Sequence, residues 1–194
     1  MTPRLFVSQA LRADTALTLP EAAARHAQVL RLQPGSEVTL FDGRGGEWAA
    51  RIEAMGKREV TATALQHEAI ERELPCHVTL ALAMPAGERM DFVVEKATEL
   101  GAARIVPLTS ERSVLRLSGE RADKRRAHWQ AIAVAACEQC GRNRVPDVSA
   151  PQPLAAWLAT LGPRAEDEQR CFLGWRDAQP WPTASAASVI SLSG

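Results

Sequence analysis

The sequence predicts an α/β protein in two parts, a small N-terminal β-barrel followed by a parallel sheet covered by helices. Up to about residue 70, short alternating segments and glycine turns surround a single helical stretch. Residues 68–76 are charged and end beside Pro75, as a linker does. From residue 77 onward, strand-like and helix-like segments alternate, the pattern of a sheet with crossover helices. The expected domains are therefore 1–70 and 77–194.

In the first part, residues 4–7, 37–41, 47–55 and 58–67 read as strands. Asp42-Gly43-Arg44-Gly45-Gly46 is a hairpin turn and is too short for a phosphate loop. Pro20 suits the first turn of a helix, and Ala23, Ala27 and Leu30 share its predicted buried face. In the second part, residues 77–83, 104–108, 169–173 and 188–192 read as strands. Residues 87–100 form a predicted helix with Met90, Val93, Val94, Ala97 and Leu100 inward and Gly101 as its stop. A long helix is expected over 121–140 with Trp129, Ile132, Ala136 and Cys140 buried, and a short one over 154–160.

Hydrophobic residues make up 46% and charged residues 24%, which excludes a disordered chain. The N-terminus lacks a secretion signal, and the longest purely apolar run, 131–137, is far short of a membrane span. A cytoplasmic protein is expected, and its four cysteines are expected as thiols. Net charge is zero, but residues 101–145 carry nine Lys/Arg against four Asp/Glu, a local +5. Most of these cations are arginines, whose planar fork suits phosphate. The segment is either a polyanion site or a solvated helix face.

Cys137-Glu138-Gln139-Cys140 is a C-x-x-C at a helix C-terminus, where the dipole disfavours a thiolate. The other metal-ligating residues are scattered, so packing is the expected role and no metal site is expected. Asp91, Glu95 and Glu99 at four-residue spacing read as a solvated helix face. By contrast, Glu138 to Arg144 gathers a carboxylate, amides and two arginines where a helix ends in a glycine turn.

That segment carries a resemblance. Trp129 to Ala133 and Ala136 to Pro146 look like the signature of the ribosomal RNA small subunit methyltransferase E family. His26 to Arg31, Phe41-Asp42-Gly43, Glu95 to Gly101, Pro107-Leu108 and Ser110-Glu111-Arg112 match it in order. The resemblance implies a PUA-like barrel followed by a SPOUT domain with a C-terminal trefoil knot. It implies a homodimer that uses S-adenosyl-L-methionine to methylate N3 of a uridine in 16S ribosomal RNA of the small ribosomal subunit. In the family the last strand runs into Gly-Pro-Glu-Gly-Gly, of which only Leu192-Ser193-Gly194 stands here. The knot segment is thus expected to be missing, and the 194-residue form to be inactive by itself.

Uracil N3 is protonated and weakly nucleophilic, so methyl transfer needs in-line placement, loss of that proton and stabilisation of charge on O2 and O4. Arg142 is the candidate for offsetting that charge, and Glu138 the candidate for accepting the proton or orienting the base. Leu173, Leu192, Ser193 and Gly194, at and after strand ends, are the expected donor site. Arg4, Arg31, Arg112 and Arg144 are the expected RNA contacts. The competing readings are a non-catalytic RNA-binding protein that uses the barrel and its arginines, and a different nucleotide-using α/β enzyme. Donor binding separates the first from the methyltransferase, and the identity of the bound nucleotide separates the second.

Overall fold

The computed structural model describes residues 2–57, 59–85, 88–109, 119–166, 168–173 and 188–193, with backbone alone for 171–173 and 188–193. The chain divides into two compact units, residues 1–73 with 137–145, and residues 74–136 with 146–194.

The first unit is built on β1 (Arg4–Phe6), β2 (Thr15–Thr18), α1 (Glu21–Val29), β3 (Glu37–Phe41), β4 (Glu47–Met55) and β5 (Val60–Glu68). Its sheet runs in the order β1-β3-β4-β5-β2. β1 lies parallel to β3 and the other pairings are antiparallel. β1 and β2 are its two ends, so among the described residues no pairing between them closes the expected barrel. Leu5, Val38, Leu40, Ile52 and Val60 alternate inward from the strands. Ala23, Ala24 and Ala27 of α1 lie in the same core, their small side chains letting the helix axis approach the sheet. The predicted Leu30 is instead 44% exposed, because the helix stops at Val29 and Arg31 turns the chain with φ 54°. β2 was not predicted, since Thr-Ala-Leu-Thr buries no side chain fully and earns its pairing only at the sheet edge.

The second unit contains β6 (His77–Ala83), α2 (Arg89–Glu99), β7 (Arg104–Thr109), most of α3 (Glu120–Cys140), β8 (Asp147–Val148), β9 (Gln152–Pro153), α4 (Leu154–Thr160), β10 (Glu168–Leu173) and β11 (Ser188–Ser193). The last four residues of α3, Cys137 to Cys140, group with the first unit. Every strand pair here is parallel, in the order β10-β11-β6-β7-β8, with β9 also on β7. Ala81, Val106 and Leu108 pack against Trp157 of α4. Asp91 at the start of α2 accepts Trp129 Nε1–H at 3.0 Å and faces His128 Nε2 at 2.8 Å, which ties α2 to α3.

The predicted helix faces need small corrections. Met90, Val94 and Ala97 are buried as expected and Val93 is half-buried, but Leu100 is 78% exposed where α2 ends, and Thr98 takes the inward position. In α3 the buried residues are Ala122, Trp129, Ala133, Ala136 and Cys137, a stripe with i, i+7, i+11, i+14, i+15 spacing. Ile132, at the margin of that stripe, is only half-buried, and Cys140 is on the stripe but exposed because the helix ends there. The short strands β8 and β9 had no periodic signal to reveal them.

Candidate functional site

The first unit contains a dense ionic network around residues 137–145. α3 ends at Gly141, which takes φ 88° while its N–H bonds Cys137 O at 3.0 Å. The following residues lie along carboxylates from two other segments, Glu71 and Glu73 in one and Glu47 in the other. Glu73 receives the Arg142 guanidinium in a fork, Nε to Oε2 at 3.0 Å and Nη2 to the same oxygen. That guanidinium is 5% exposed, so the pair is largely removed from water. Glu71 receives the Arg144 fork at 3.3 and 3.2 Å and also accepts the Gly46 N–H at 3.0 Å. Gly45 has φ 110°, and a Cβ there would collide with the Glu71 carboxylate and the Arg144 guanidinium. Its backbone angle is what favours glycine at that turn, and the missing Cβ leaves room for the Glu71–Arg144 pair to lie over it.

Glu47, at the start of β4, lies between Arg72 and Arg4, each donating to Oε2 at 2.7 Å. Arg4 also bonds the Asn143 side-chain oxygen at 2.5 Å, and the Asn143 amide donates to Ile70 O at 2.7 Å. The Arg72 hydrogen bond is the chief cause that holds the Glu47 carboxyl down at about 2, with Arg4 and Asn143 adding to it against the opposing effect of burial. Glu138 accepts the Phe6 N–H at 2.9 Å through Oε1 and faces His26 Nδ1 at 2.9 Å through Oε2. An ionised carboxylate only accepts, which assigns the hydrogen to Nδ1. One helix-end carboxylate therefore orients both β1 and α1. Cys137 is fully buried and burial pushes its thiol up to about 12, so it is a packing residue rather than a nucleophile. No group of His, Cys, Asp and Glu among the described residues is arranged to hold a metal ion.

In the second unit, the geometry of interest is the carboxyl edge of the sheet. Leu173 of β10 is the register partner of Ser193 of β11, and Ser193 is the partner of Leu82 of β6. Three strand ends are therefore level at one edge. The β11–β6 pairing joins the latest and earliest strands of this sheet, while the chain leaves β6 toward β7 on the other side. In parallel sheets, ligands sit beyond carboxyl strand ends such as these. Backbone groups at such an edge suit a ligand read mainly by main-chain donors and acceptors.

Comparison with known proteins is consistent with both units. A model of the RNA methyltransferase PUA domain matches residues 19–65, and a model of the RNA methyltransferase domain matches residues 72–188. The ribosomal RNA small subunit methyltransferase E of Bacillus subtilis (strain 168) is 30% identical over 162 residues, 84% of this chain and 62% of the relative. That of Synechocystis is 36% identical over 152 residues, 78% of this chain and 48% of the relative. The chain thus spans between about half and three-fifths of these curated relatives' lengths. The crystal structure of the ribosomal RNA small subunit methyltransferase E from Neisseria gonorrhoeae bound to S-adenosyl methionine superposes with a TM-score of 0.90 at 34% identity, covering 100% of this chain and 80% of that one.

The chain belongs to the ribosomal RNA small subunit methyltransferase E family.

As a member of that family it holds the residues predicted for the site in two distinct settings. Arg142 and Glu138 are brought together in one turn region, but each is engaged by different residues of the first unit, Arg142 by Glu73 and Glu138 by Phe6 and His26. Arg4 lies below the surface, its side chain 9% exposed and its guanidinium 4.9 Å from the centre of the Phe41 ring. Arg31 is exposed at the turn after α1, and Arg144 is exposed but paired with Glu71. Leu173, Leu192 and Ser193 lie at the ends of β10 and β11, described by their backbone. Arg112 and Gly194 lie outside the described residues. Nothing in these likenesses supports the expectation that the 194-residue chain is inactive by itself. No helix among the described residues is long and apolar enough to cross a membrane.

Sequence reasoning missed Glu47, Glu71, Glu73 and Asn143. Glu71-Arg72-Glu73 had read as linker charge, although its strict alternation puts both glutamates on one side of an extended chain. His26 had been noted, but its partner lies 112 positions away.

Proposed function

We propose that this family member transfers a methyl group from S-adenosyl-L-methionine to N3 of a uridine in 16S ribosomal RNA, working as a cytoplasmic homodimer. The observation that carries the reading is the level alignment of Leu82, Ser193 and Leu173 at the carboxyl edge of the second unit's sheet. It stands beside the superposition of this chain on 80% of a relative bound to S-adenosyl methionine. Leu173, Leu192 and Ser193, with Gly194 after them, would hold the donor, whose sulfonium supplies an electrophilic methyl group. Knotting of the C-terminal part and closure of the N-terminal sheet into a barrel belong to the same proposal.

The chain's own residues have three tasks. The first is to hold RNA, for which Arg31 and Arg144 are the exposed candidates, with Arg112 beside them in the proposal. Arg4, with its buried links to Glu47 and Asn143, supports that surface from beneath. The second is to orient the uracil so that N3 loses its proton as the new bond forms. The third is to offset the charge that spreads to O2 and O4. Arg142 and Glu138 serve these last tasks as positioning residues, because their first contacts are Glu73, Phe6 and His26. They set the path of residues 137–145, which displays its other polar groups. In Arg142→Lys the charge survives but the fork is lost. Turnover should then fall more than RNA affinity, and an equal loss in both would show that the residue only binds.

The activity is tested by incubating small-subunit RNA with the protein and methyl-labelled donor, then separating the nucleosides by mass spectrometry. The expected product is N3-methyluridine. Label on carbon or ribose would overturn the reaction assigned here.

A further inference from the structure

The structure resolves which cations of the positive segment are occupied. Of the nine Lys/Arg in residues 101–145, Arg142 and Arg144 are paired with Glu73 and Glu71. Arg104 bonds Ser149 and lies 3.6 Å from Asp147. Arg126 donates to Val148 O at 2.9 Å and lies 3.7 Å from Asp147. What remains among the described residues is a cluster on the first turns of α3. Arg121 and Arg125 are exposed and make no ion pair or hydrogen bond there. Lys124 stands beside them and reaches Glu120 at 2.7 Å, with side chains 74% and 81% exposed.

We propose that Arg121, Lys124 and Arg125 form a phosphate-binding stripe on the methyltransferase domain that grips the backbone of the RNA substrate. The inference rests on the proposed RNA substrate and adds a surface to it. Positions 121, 124 and 125 fall at i, i+3 and i+4, one face of the helix. The buried stripe of Ala122, Trp129 and Ala133 occupies a neighbouring face and fixes the helix, so the cations are presented by a rigid element. Asp123 lies on a different face by the same spacing. The Glu120–Lys124 pair is fully hydrated, and such pairs hold their partners weakly, so a phosphate competes for the lysine at little cost. His128 continues the face but is held by Asp91, which bounds the stripe at that end.

Charge and composition together select the occupant. The exposed large hydrophobic side chains of the described residues are Val29, Leu30, Leu74, Phe92, Leu100 and Leu158, none of them within residues 120–128. A protein partner would need an apolar centre there, whereas a phosphodiester strand needs only cations. Arginine adds a planar fork matched to phosphate oxygens. Phosphate contacts of this kind set register and orientation without reading bases. The stripe would therefore anchor RNA while other residues choose the uridine.

The test measures the affinity of the protein for a small-subunit RNA fragment across a salt series. Arg121→Ala/Arg125→Ala should weaken binding roughly tenfold at low salt and reduce the slope of log K against log salt by roughly two. Arg121→Lys/Arg125→Lys should restore most of the slope, and donor affinity by calorimetry should be unchanged in both variants. If wild-type protein binds the fragment and the alanine variant shows the same slope, the stripe is not an RNA contact. If the alanine variant changes the sedimentation behaviour but not the slope, the face belongs to a second copy and the inference is overturned. Failure of the wild-type protein to bind any such RNA would overturn the proposed substrate together with this inference.

Discussion

Two arginine-rich stretches of the same region behave in opposite ways. Residues 142–144 place their arginines into carboxylates, Arg142 almost wholly out of water. Residues 121–125 leave theirs in solvent with at most a hydrated partner. In sequence the two stretches contribute alike to the local positive charge. Charge density along a chain therefore measures only the supply of cations. Which of them can meet a ligand is decided by where the carboxylates fold to, and here Glu47, Glu71 and Glu73 fold onto Arg4, Arg72, Arg142 and Arg144.

The comparison breaks most sharply at Glu73. Glu73→Ala takes the forked carboxylate from the Arg142 guanidinium in a site with little water, and removing one partner of a buried pair costs about 3–5 kcal/mol. Denaturant melts should show a loss of that size. A loss below about 1 kcal/mol would mean that Arg142 is held without Glu73, contrary to the pairing described.

A somewhat smaller effect is expected from acid. The Glu47 carboxyl is held at about 2 from an ordinary 4.5, chiefly by its hydrogen bond with Arg72. A depressed folded-state value stabilises the fold above the unfolded value, and that contribution is lost as pH falls from 4.5 towards about 2. The amount is on the order of 3 kcal/mol. Glu47→Gln should already be destabilised near neutrality and should lack this part of the acid dependence. Equal acid curves for the variant and the wild-type protein would contradict the network.

The smallest effect is expected at the exposed stretch. Glu120→Gln removes the partner of Lys124 in full solvent and should change stability by no more than about 0.5 kcal/mol, while slightly strengthening RNA binding at low salt. A change of several kcal/mol would show that this pair is structural and that the two stretches do not differ as argued.

Much of the fold was legible because periodicity is local. β3, β4, β6 and α4 fall at the predicted residues, each bounded by glycine, proline or a switch of period. The hairpin turn at 42–46 was legible for the same reason, as β3 and β4 pair antiparallel across it. β2, β8 and β9 were not, since strands of two to four residues have too few side chains to display a pattern. The site was legible as a polar concentration at 138–144 but not as a network. Its partners Arg4, His26, Glu47 and Glu73 lie between 69 and 139 positions away in the chain. Glu47 reaches the same region through Arg4 and Arg72. Burial of Arg4 was likewise hidden, because a residue near the N-terminus of a short edge strand reads as exposed until its ion-pair partner is known.

Methylation of uracil N3 in small-subunit RNA is the proposed reaction. Mass spectrometry of 16S ribosomal RNA nucleosides from cells that carry, lack or regain the gene for this protein reads it in the natural substrate. N3-methyluridine should be present with the gene, absent without it and restored by the wild-type copy. N3-methyluridine at an undiminished level in cells lacking the gene would contradict it.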